Sequence, residues 1–325
     1  MNKKITYFPG CVESPNKNLK VIFEQLGIEV ELISEWNCCG APPSHYKPSF
    51  FNKVVMPLIN LGISQKRGGD FLYSGCRVCV KQVNDALKII NSNSMFENQA
   101  EYSLKPFNAN LKKITNGSTG AVHLIDIIAC PDISKNLLNN AARKLKDHSI
   151  LLYTGCYRDR QKIDILTNIL NSFGASVNLY EECCGGEKLQ NTTPVHSKRV
   201  ENVGSISTFF KLINQKADET DSDYIVTACS MCEKNIKDGV ELSDLDVFAP
   251  VIGLIEFIGF LFGMDGCGDL IINDEAKEGK VPLKLHEIPA PASPSSHVAD
   301  AGVGAEGFPC KCTPFAAKRS FAQLT

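Results

Sequence analysis

Glu-Trp-Asn-Cys-Cys-Gly-Ala at residues 35–41 and Tyr-Glu-Glu-Cys-Cys-Gly-Gly at residues 180–186 are two copies of one phrase, and the rest of the chain can be read outward from them. Cys11 precedes the first vicinal pair, Cys38 and Cys39, and Cys76 and Cys79 follow it. In the second half Cys156 precedes Cys183 and Cys184, and Cys229 and Cys232 follow. The offsets between matching positions are 145, 145, 145, 153 and 153, so the first three repeat in register and eight residues are inserted before the last two. The flanks agree, since Tyr7-Phe8-Pro9-Gly10-Cys11 answers Tyr153-Thr154-Gly155-Cys156. Self-similarity of this kind marks an internal duplication.

Around these cysteines, stretches rich in Val, Ile, Leu, Tyr and Phe predict short buried strands at 4–9, 28–33, 70–74, 149–153, 175–180 and 223–228. Apolar residues at helical spacing predict helices over 18–27, 50–67, 78–90, 162–174, 197–216 and 233–240, several of them closing on glycine. Alternation of strand and helix predicts an α/β fold, two pseudo-symmetric Rossmann-like halves with largely parallel sheets. The expected organisation is a first half at 1–92, a linker with connecting helices at 93–147, a second half at 148–265 and an irregular extension at 266–325. Residues 92–120, rich in Asn, Ser and Gly, read as a partly irregular connection, and 121–146 as a helical pattern interrupted at Pro131.

Composition narrows the chemistry. With 34 basic and 36 acidic residues the formal net charge is −2, so no global field favours nucleic acid. The opening Met1-Asn2-Lys3-Lys4 lacks the apolar run of a signal peptide, which points to a cytoplasmic setting. Fourteen cysteines in such a chain point to metal or redox chemistry rather than a disulfide framework.

Ten of those cysteines follow expected strands, and in open α/β sheets ligands bind beyond the carboxyl ends of strands. Helices expected to start at or just after Cys79 and Cys232 offer free N–H groups that lower thiolate pKa and favour an anionic group. Five thiols per half exceed the four that zinc needs, and adjacent cysteines suit separate irons of one cluster better than a single tetrahedral ion. Two alternatives stand beside the cluster. One is structural zinc, and the other is a dithiol at Cys76-Arg77-Val78-Cys79 or Cys229-Ser230-Met231-Cys232, which leaves the vicinal pairs without a role.

The arrangement Cys, then Cys-Cys-Gly, then Cys-x-x-Cys, twice over, resembles the CCG-domain family across about residues 5–265. One member, the B-type component of heterodisulfide reductase, implies two non-cubane [4Fe-4S] clusters. By motif position these fall on Cys11, Cys38, Cys39, Cys76 and Cys79, and on Cys156, Cys183, Cys184, Cys229 and Cys232. A second branch, the E-type component of archaeal and bacterial succinate:quinone and fumarate reductases, stands in for a membrane anchor. Trp36-Asn37-Cys38-Cys39-Gly40-Ala41 is more similar to that branch, because heterodisulfide reductases tend to carry proline after the first pair. Gly185-Gly186-Glu187-Lys188 departs from both.

Val247–Met264 is nearly all apolar, with one charge at Glu256. A helix from Pro250 would have about 14 residues and roughly 21 Å, too short to cross a bilayer, leaving core packing or interfacial contact with membrane or quinone. The Pro-, Ala- and Gly-rich stretch after Gly266 reads as an extension over a partner or a disordered one. Cys130 reads as a buried small hydrophobe, while Cys267, Cys310 and Cys312 receive no role, and His45 reads as a loop residue near the first pair.

No dinucleotide or phosphate-loop signature occurs, so flavin and nicotinamide are expected on other subunits. These readings predict an iron–sulfur electron-transfer subunit of an oxidoreductase complex, peripheral on the inner membrane face. Its expected partners are flavin-containing and ferredoxin-type iron–sulfur subunits and a small anchoring subunit, with quinone as acceptor. The alternatives are disulfide reduction on the same centres and a zinc-stabilised scaffold.

Overall fold

A computed structural model describes residues 3–12, 17–41, 49–117, 120–184, 199–241, 249–264 and 267. Strand β1 (Lys3–Tyr7), helix α1 (Leu19–Gln25), strand β2 (Ile28–Leu32), helix α2 (Met56–Lys66), strand β3 (Phe71–Tyr73) and helix α3 (Arg77–Ser92) open the first half. Helices α4 (Glu97–Leu104) and α5 (Leu111–Gly117) lead to β4 (Ala121–Val122), then α6 (Leu124–Ile128) and α7 (Pro131–Asn140) cross to the second half. There β5 (Ser149–Tyr153), α8 (Arg160–Ser172), β6 (Ser176–Tyr180), α9 (Arg199–Glu219), β7 (Tyr224–Thr227), α10 (Ser230–Glu241), β8 (Val251–Gly253) and α11 (Leu254–Leu261) follow.

The strands form two four-stranded sheets of identical order, β2-β1-β3-β4 and β6-β5-β7-β8, parallel throughout. Parallel neighbours require crossovers, and the helices provide them while covering both faces. In the second sheet the inner strands are accordingly buried without alternation: Ile150 to Tyr153 and Tyr224 to Thr227 are buried at every position. The edge strands differ, and β2 alternates buried with exposed residues.

Two hydrophobic layers run through the molecule, and each draws on both halves. Phe8, Ile33, Leu58 and Val83 share one with Leu151, Phe210, Ile225 and Ile236. Ile5, Ile22, Phe23 and Leu137 share the other with Ile150, Leu166, Val226 and Phe257. Main-chain bonds add to the junction, from Ala142 and Arg143 N–H to the Leu261 carbonyl and from Ser230 N–H to the Gly75 carbonyl at 3.1 Å.

Several expectations need correction. Residues 92–120 are largely helical rather than irregular, because Ala100 and Leu104, and Leu111 and Ile114, are spaced one helical turn apart and pack inward. The helical pattern at 121–146 breaks into β4, α6 and α7, with Pro131 at the first turn of α7, where its missing N–H costs nothing. The helix expected from Pro250 is preceded by strand β8 and is only eight residues long. Its side chains at Phe257, Ile258, Phe260 and Leu261 are buried, so this helix packs into the core. Among the described residues no helix is long and apolar enough to cross one. Cys130 is half-buried, not fully buried, at the N-cap of α7. Cys310, Cys312, His45, Gly185 to Lys188 and the extension beyond 267 lie outside the described residues.

Phe257 is fully buried, with its ring 6.4 Å from that of Tyr224 and 6.0 Å from that of Phe260. Phe257→Ala is expected to lower stability by about 3–5 kcal/mol. The same change at Tyr102, which is 77% exposed, should stay within about 0.5 kcal/mol. Denaturant unfolding of the two variants checks this, and an unmoved Phe257→Ala midpoint would return the helix to the surface.

Candidate functional site

In both sheets the chain reverses its direction of winding beside the first strand, between β1 and β3 and between β5 and β7. Crevices at such switch points are where open α/β sheets bind ligands. Cys11 follows β1 and Cys76 follows β3 into one crevice, and Cys156 follows β5 and Cys229 follows β7 into the other. Helices α3 and α10 then begin at Arg77 and Ser230, so Cys79 and Cys232 sit inside the first turn instead of ahead of it, and Cys76 is the N-cap.

The vicinal pairs are carried by irregular segments that side chains fix in place. Asn60 on α2 holds the backbone of Asn37, accepting its N–H at 3.0 Å and donating to its carbonyl at 2.9 Å. Gly40 has φ +75° and lies against the Asn52 carbonyl with no room for a Cβ, which accounts for glycine directly after the pair. In the second half, Arg158 donates to the carbonyls of Gly155 at 2.7 Å and Glu181 at 3.0 Å. The Tyr153 hydroxyl donates to the Glu182 carbonyl at 2.6 Å, and Asn235 donates to the Cys184 carbonyl at 3.4 Å and its sulfur at 3.5 Å.

The first quintet is gathered. Cys11 contacts Cys38 and lies in the field of Cys39 and Cys76, while Cys39 contacts Cys38 and Cys79, and Cys79 contacts Cys76. The second is gathered likewise: Cys232 Sγ lies 3.5 Å from Cys184 Sγ and contacts Cys229, and Cys156 feels Cys229, Cys183 and Cys184. Cys11 and Cys183 are exposed and Cys156 is half-buried, while the other seven are buried. The quintets adjoin at Cys76 and Cys229, the two copies of one position, where the N–H of Arg77, next to Cys76, donates to the Cys229 sulfur at 3.2 Å. Among the described residues no three His, Cys, Asp or Glu side chains are arranged around a single metal ion.

Thiols packed against thiols resist ionisation, because each new charge meets its neighbours'. Contact with Cys38, then burial, pushes Cys11 up, and contact with Cys38 is also the first cause that takes Cys39 to about 12. Contact with Cys229 raises Cys76, contact with Cys39 raises Cys79, and contact with Cys184 raises Cys232. Burial, then the charge on Cys229, takes Cys156 to about 11. Cys229 is the exception, held well below the usual thiol range by contacts with Cys232 and Cys76 and, against burial, by His123. The Arg77 N–H also donates to its sulfur at 3.2 Å. The lowering of thiol pKa expected where helices start at Cys79 and Cys232 is therefore reversed, both being raised by neighbouring thiols and burial.

Gly10 and Gly155, at equivalent positions with φ +68° and +59°, leave room for sulfur. A Cβ would come 3.1 Å from Cys79 Sγ at the first and 2.9 Å from Cys232 Sγ at the second. The chain is thus a duplicated parallel α/β protein presenting two adjoining five-thiol crevices. It belongs to the CCG cysteine-rich domain family, whose model matches residues 5–84 and 150–237, one match per half. It is 24% identical to a protein of Archaeoglobus profundus described as like the B component of heterodisulfide reductase, over 81% of this chain and 91% of that one. It is 22% identical to the 8-methylmenaquinol:fumarate reductase membrane anchor subunit of Wolinella succinogenes, over 81% and 94%. The TorS sensor domain–TorT complex aligns with 80% of this chain and 78% of its own at 10% identity and a TM-score of 0.30, too low to argue from.

His123, Arg77, Tyr157, Asn60 and Asn235 also line or brace the crevices, and none stands out in the sequence. Gly155→Ala is expected to speed alkylation of Cys232, because the new methyl group displaces that sulfur. Gly68→Ala has the same backbone penalty of about 1–2 kcal/mol with open space around it, and should leave the rate unchanged. Mass spectrometry of timed alkylation compares them, and equal Cys232 rates would show that the glycine does not shape the crevice.

Proposed function

We propose that this chain is an iron–sulfur electron-transfer subunit of a multi-subunit reductase. In this reading one cluster is held by Cys11, Cys38, Cys39, Cys76 and Cys79 and another by Cys156, Cys183, Cys184, Cys229 and Cys232, both of the non-cubane [4Fe-4S] type. The donor set fits, since thiolate sulfur is the ligand such clusters take, and glycine at 10 and 155 keeps a Cβ off the sulfurs. The observation that carries the reading is the meeting of the two Cys-x-x-Cys turns, where the Arg77 N–H beside Cys76 donates to the Cys229 sulfur at 3.2 Å and the Ser230 N–H beside Cys229 donates to the Gly75 carbonyl at 3.1 Å.

Iron–sulfur centres supply one-electron couples, and two on one chain would suit an acceptor that takes two electrons. The chain's residues exclude water from the inner sulfurs and direct the Arg77 N–H at Cys229, while the exposed Cys11 and Cys183 mark the open side where a partner or acceptor approaches. Quinone at the membrane surface is the proposed acceptor, with electrons from flavin and ferredoxin-type subunits of a succinate dehydrogenase kind. The name of the Wolinella relative supports this. Because α11 is buried, attachment falls to a partner or to residues outside those described. Reduction of a disulfide is the second reading, supported by the name of the Archaeoglobus relative.

Anaerobically purified protein is expected to contain iron and acid-labile sulfide. Cys39→Ser and Cys184→Ser should each remove the iron of one half, and Cys130→Ser neither. Stoichiometric zinc without iron, or full iron in both motif variants, would end the reading. A covalent-flavin dehydrogenase among copurifying subunits supports quinone, and a large electron-bifurcating flavoprotein supports disulfide.

A further inference from the structure

The second crevice carries a pair of side chains that the first lacks. Arg77 directly follows Cys76, and its equivalent in the other half, at the offset of 153, is Ser230. Tyr157 directly follows the half-buried Cys156, and its equivalent, at the offset of 145, is Val12. The Arg77 side chain crosses from the first half and lies over the Tyr157 ring, with Cζ 5.2 Å from the ring centre. The backbone N–H of the same residue donates to the Cys229 sulfur at 3.2 Å. Arg77 therefore meets the second quintet at two places, at the sulfur of Cys229 and at the ring beside Cys156. Ser230 and Val12 supply neither a charge nor a ring to the first.

Among the described residues this charge is left without a counter-ion. Arg77 is half-buried, and its guanidinium makes no hydrogen bond and no ion pair with them. Asp126, the carboxylate tied to its platform, is already engaged. It accepts the Tyr157 hydroxyl at 2.6 Å, Lys162 at 2.6 Å and the His123 backbone N–H at 2.9 Å, and these bonds hold the ring in place under the cation. Withdrawing a charge from water costs free energy, and an aromatic face recovers only part of it. With one face on the ring, the planar fork keeps donors along its edge for a partner. Burial, then neighbouring thiols, push Cys156 up, and the Arg77 charge opposes them. A cation that served only to balance thiolates would be needed at both crevices, since each presents five sulfurs, and it stands at one.

We infer that Arg77 is the acceptor-binding residue of the chain: its guanidinium, laid on Tyr157 beside Cys156, hydrogen-bonds the quinone oxygen that turns negative as electrons arrive, and this makes the second crevice the site of reduction. Two electrons, one from each centre, and two protons from solvent convert the quinone to a quinol. The oxygen carries negative charge before its proton arrives, and a fixed cationic donor stabilises that state more than the neutral quinone. The inference rests on the quinone-reducing iron–sulfur reading above.

The test uses the purified complex with a water-soluble naphthoquinone, and iron and both midpoint potentials are measured alongside. Arg77→Gln keeps hydrogen-bonding groups and removes the charge. It should lower kcat/KM for the quinone by at least about tenfold with iron and potentials unmoved. Arg77→Lys, which keeps the charge, should recover part of that loss. With iron retained, an unchanged kcat/KM, no recovery with lysine, or a shifted potential overturns the inference and leaves the iron–sulfur reading standing. A wild-type complex that reduces a disulfide and no quinone overturns the inference together with the choice of acceptor, and absence of iron overturns the whole reading. If Arg77→Gln loses its iron, photolabelling of the wild-type complex with an azido-naphthoquinone decides. Label on Arg77 or on residues 153–160 supports the assignment, and label only elsewhere, or none, overturns it.

Discussion

The structure depends on the meeting of two strand ends. The turn after β3 delivers Cys76 and the turn after β7 delivers Cys229, and the two turns are joined by the Arg77 N–H to the Cys229 sulfur and by the Ser230 N–H to the Gly75 carbonyl. Sulfur packed this deeply gains nothing from water, so its charge has to be met by neighbours. The chain meets it unevenly. Neighbouring thiols push Cys76, Cys79 and Cys232 up, whereas Cys229 is held down by Cys232, Cys76 and His123, and the first N–H of α3 donates to its sulfur.

Fixing that junction constrains everything around it. Both sheets must present the carboxyl ends of their central strands to the same place, which the shared order of strands achieves, and both hydrophobic layers must pass from one half to the other without a gap. The loops with the vicinal cysteines are then held from outside the crevice, by Asn60 in the first half and by Arg158 and Tyr153 in the second. The same task falls to different residues in each copy, so the duplication is closer in its backbone than in the side chains that brace it.

Much of this was legible in the sequence, because the cysteine offsets reveal the duplication and the Val-, Ile- and Leu-rich runs before them reveal the strands. Six strands fall within about two residues of their expected ends, the usual uncertainty of such boundaries. Strands β4 and β8 were not legible. They are two and three residues long and lie inside apolar runs whose period does not distinguish helix from strand. Tertiary packing made 92–120 helical where polar composition suggested a loop. Residues such as His123 were hidden for a geometric reason: it lies 34 residues before Tyr157, and only the fold buries it beside that ring, with centroids 5.5 Å apart. Its signal was present only as an N-cap followed three residues later by Asp126.

The two layers shared between the halves also bear on how the chain is made. Synthesis from the N-terminus releases β1 to β4 long before Leu151, Ile225 or Phe257, which complete the surfaces those strands rest on. Until the last strand leaves the ribosome, the early half exposes one unfinished flank together with several reduced thiols. During that interval the thiols of the early half lack the packing that buries them in the finished fold.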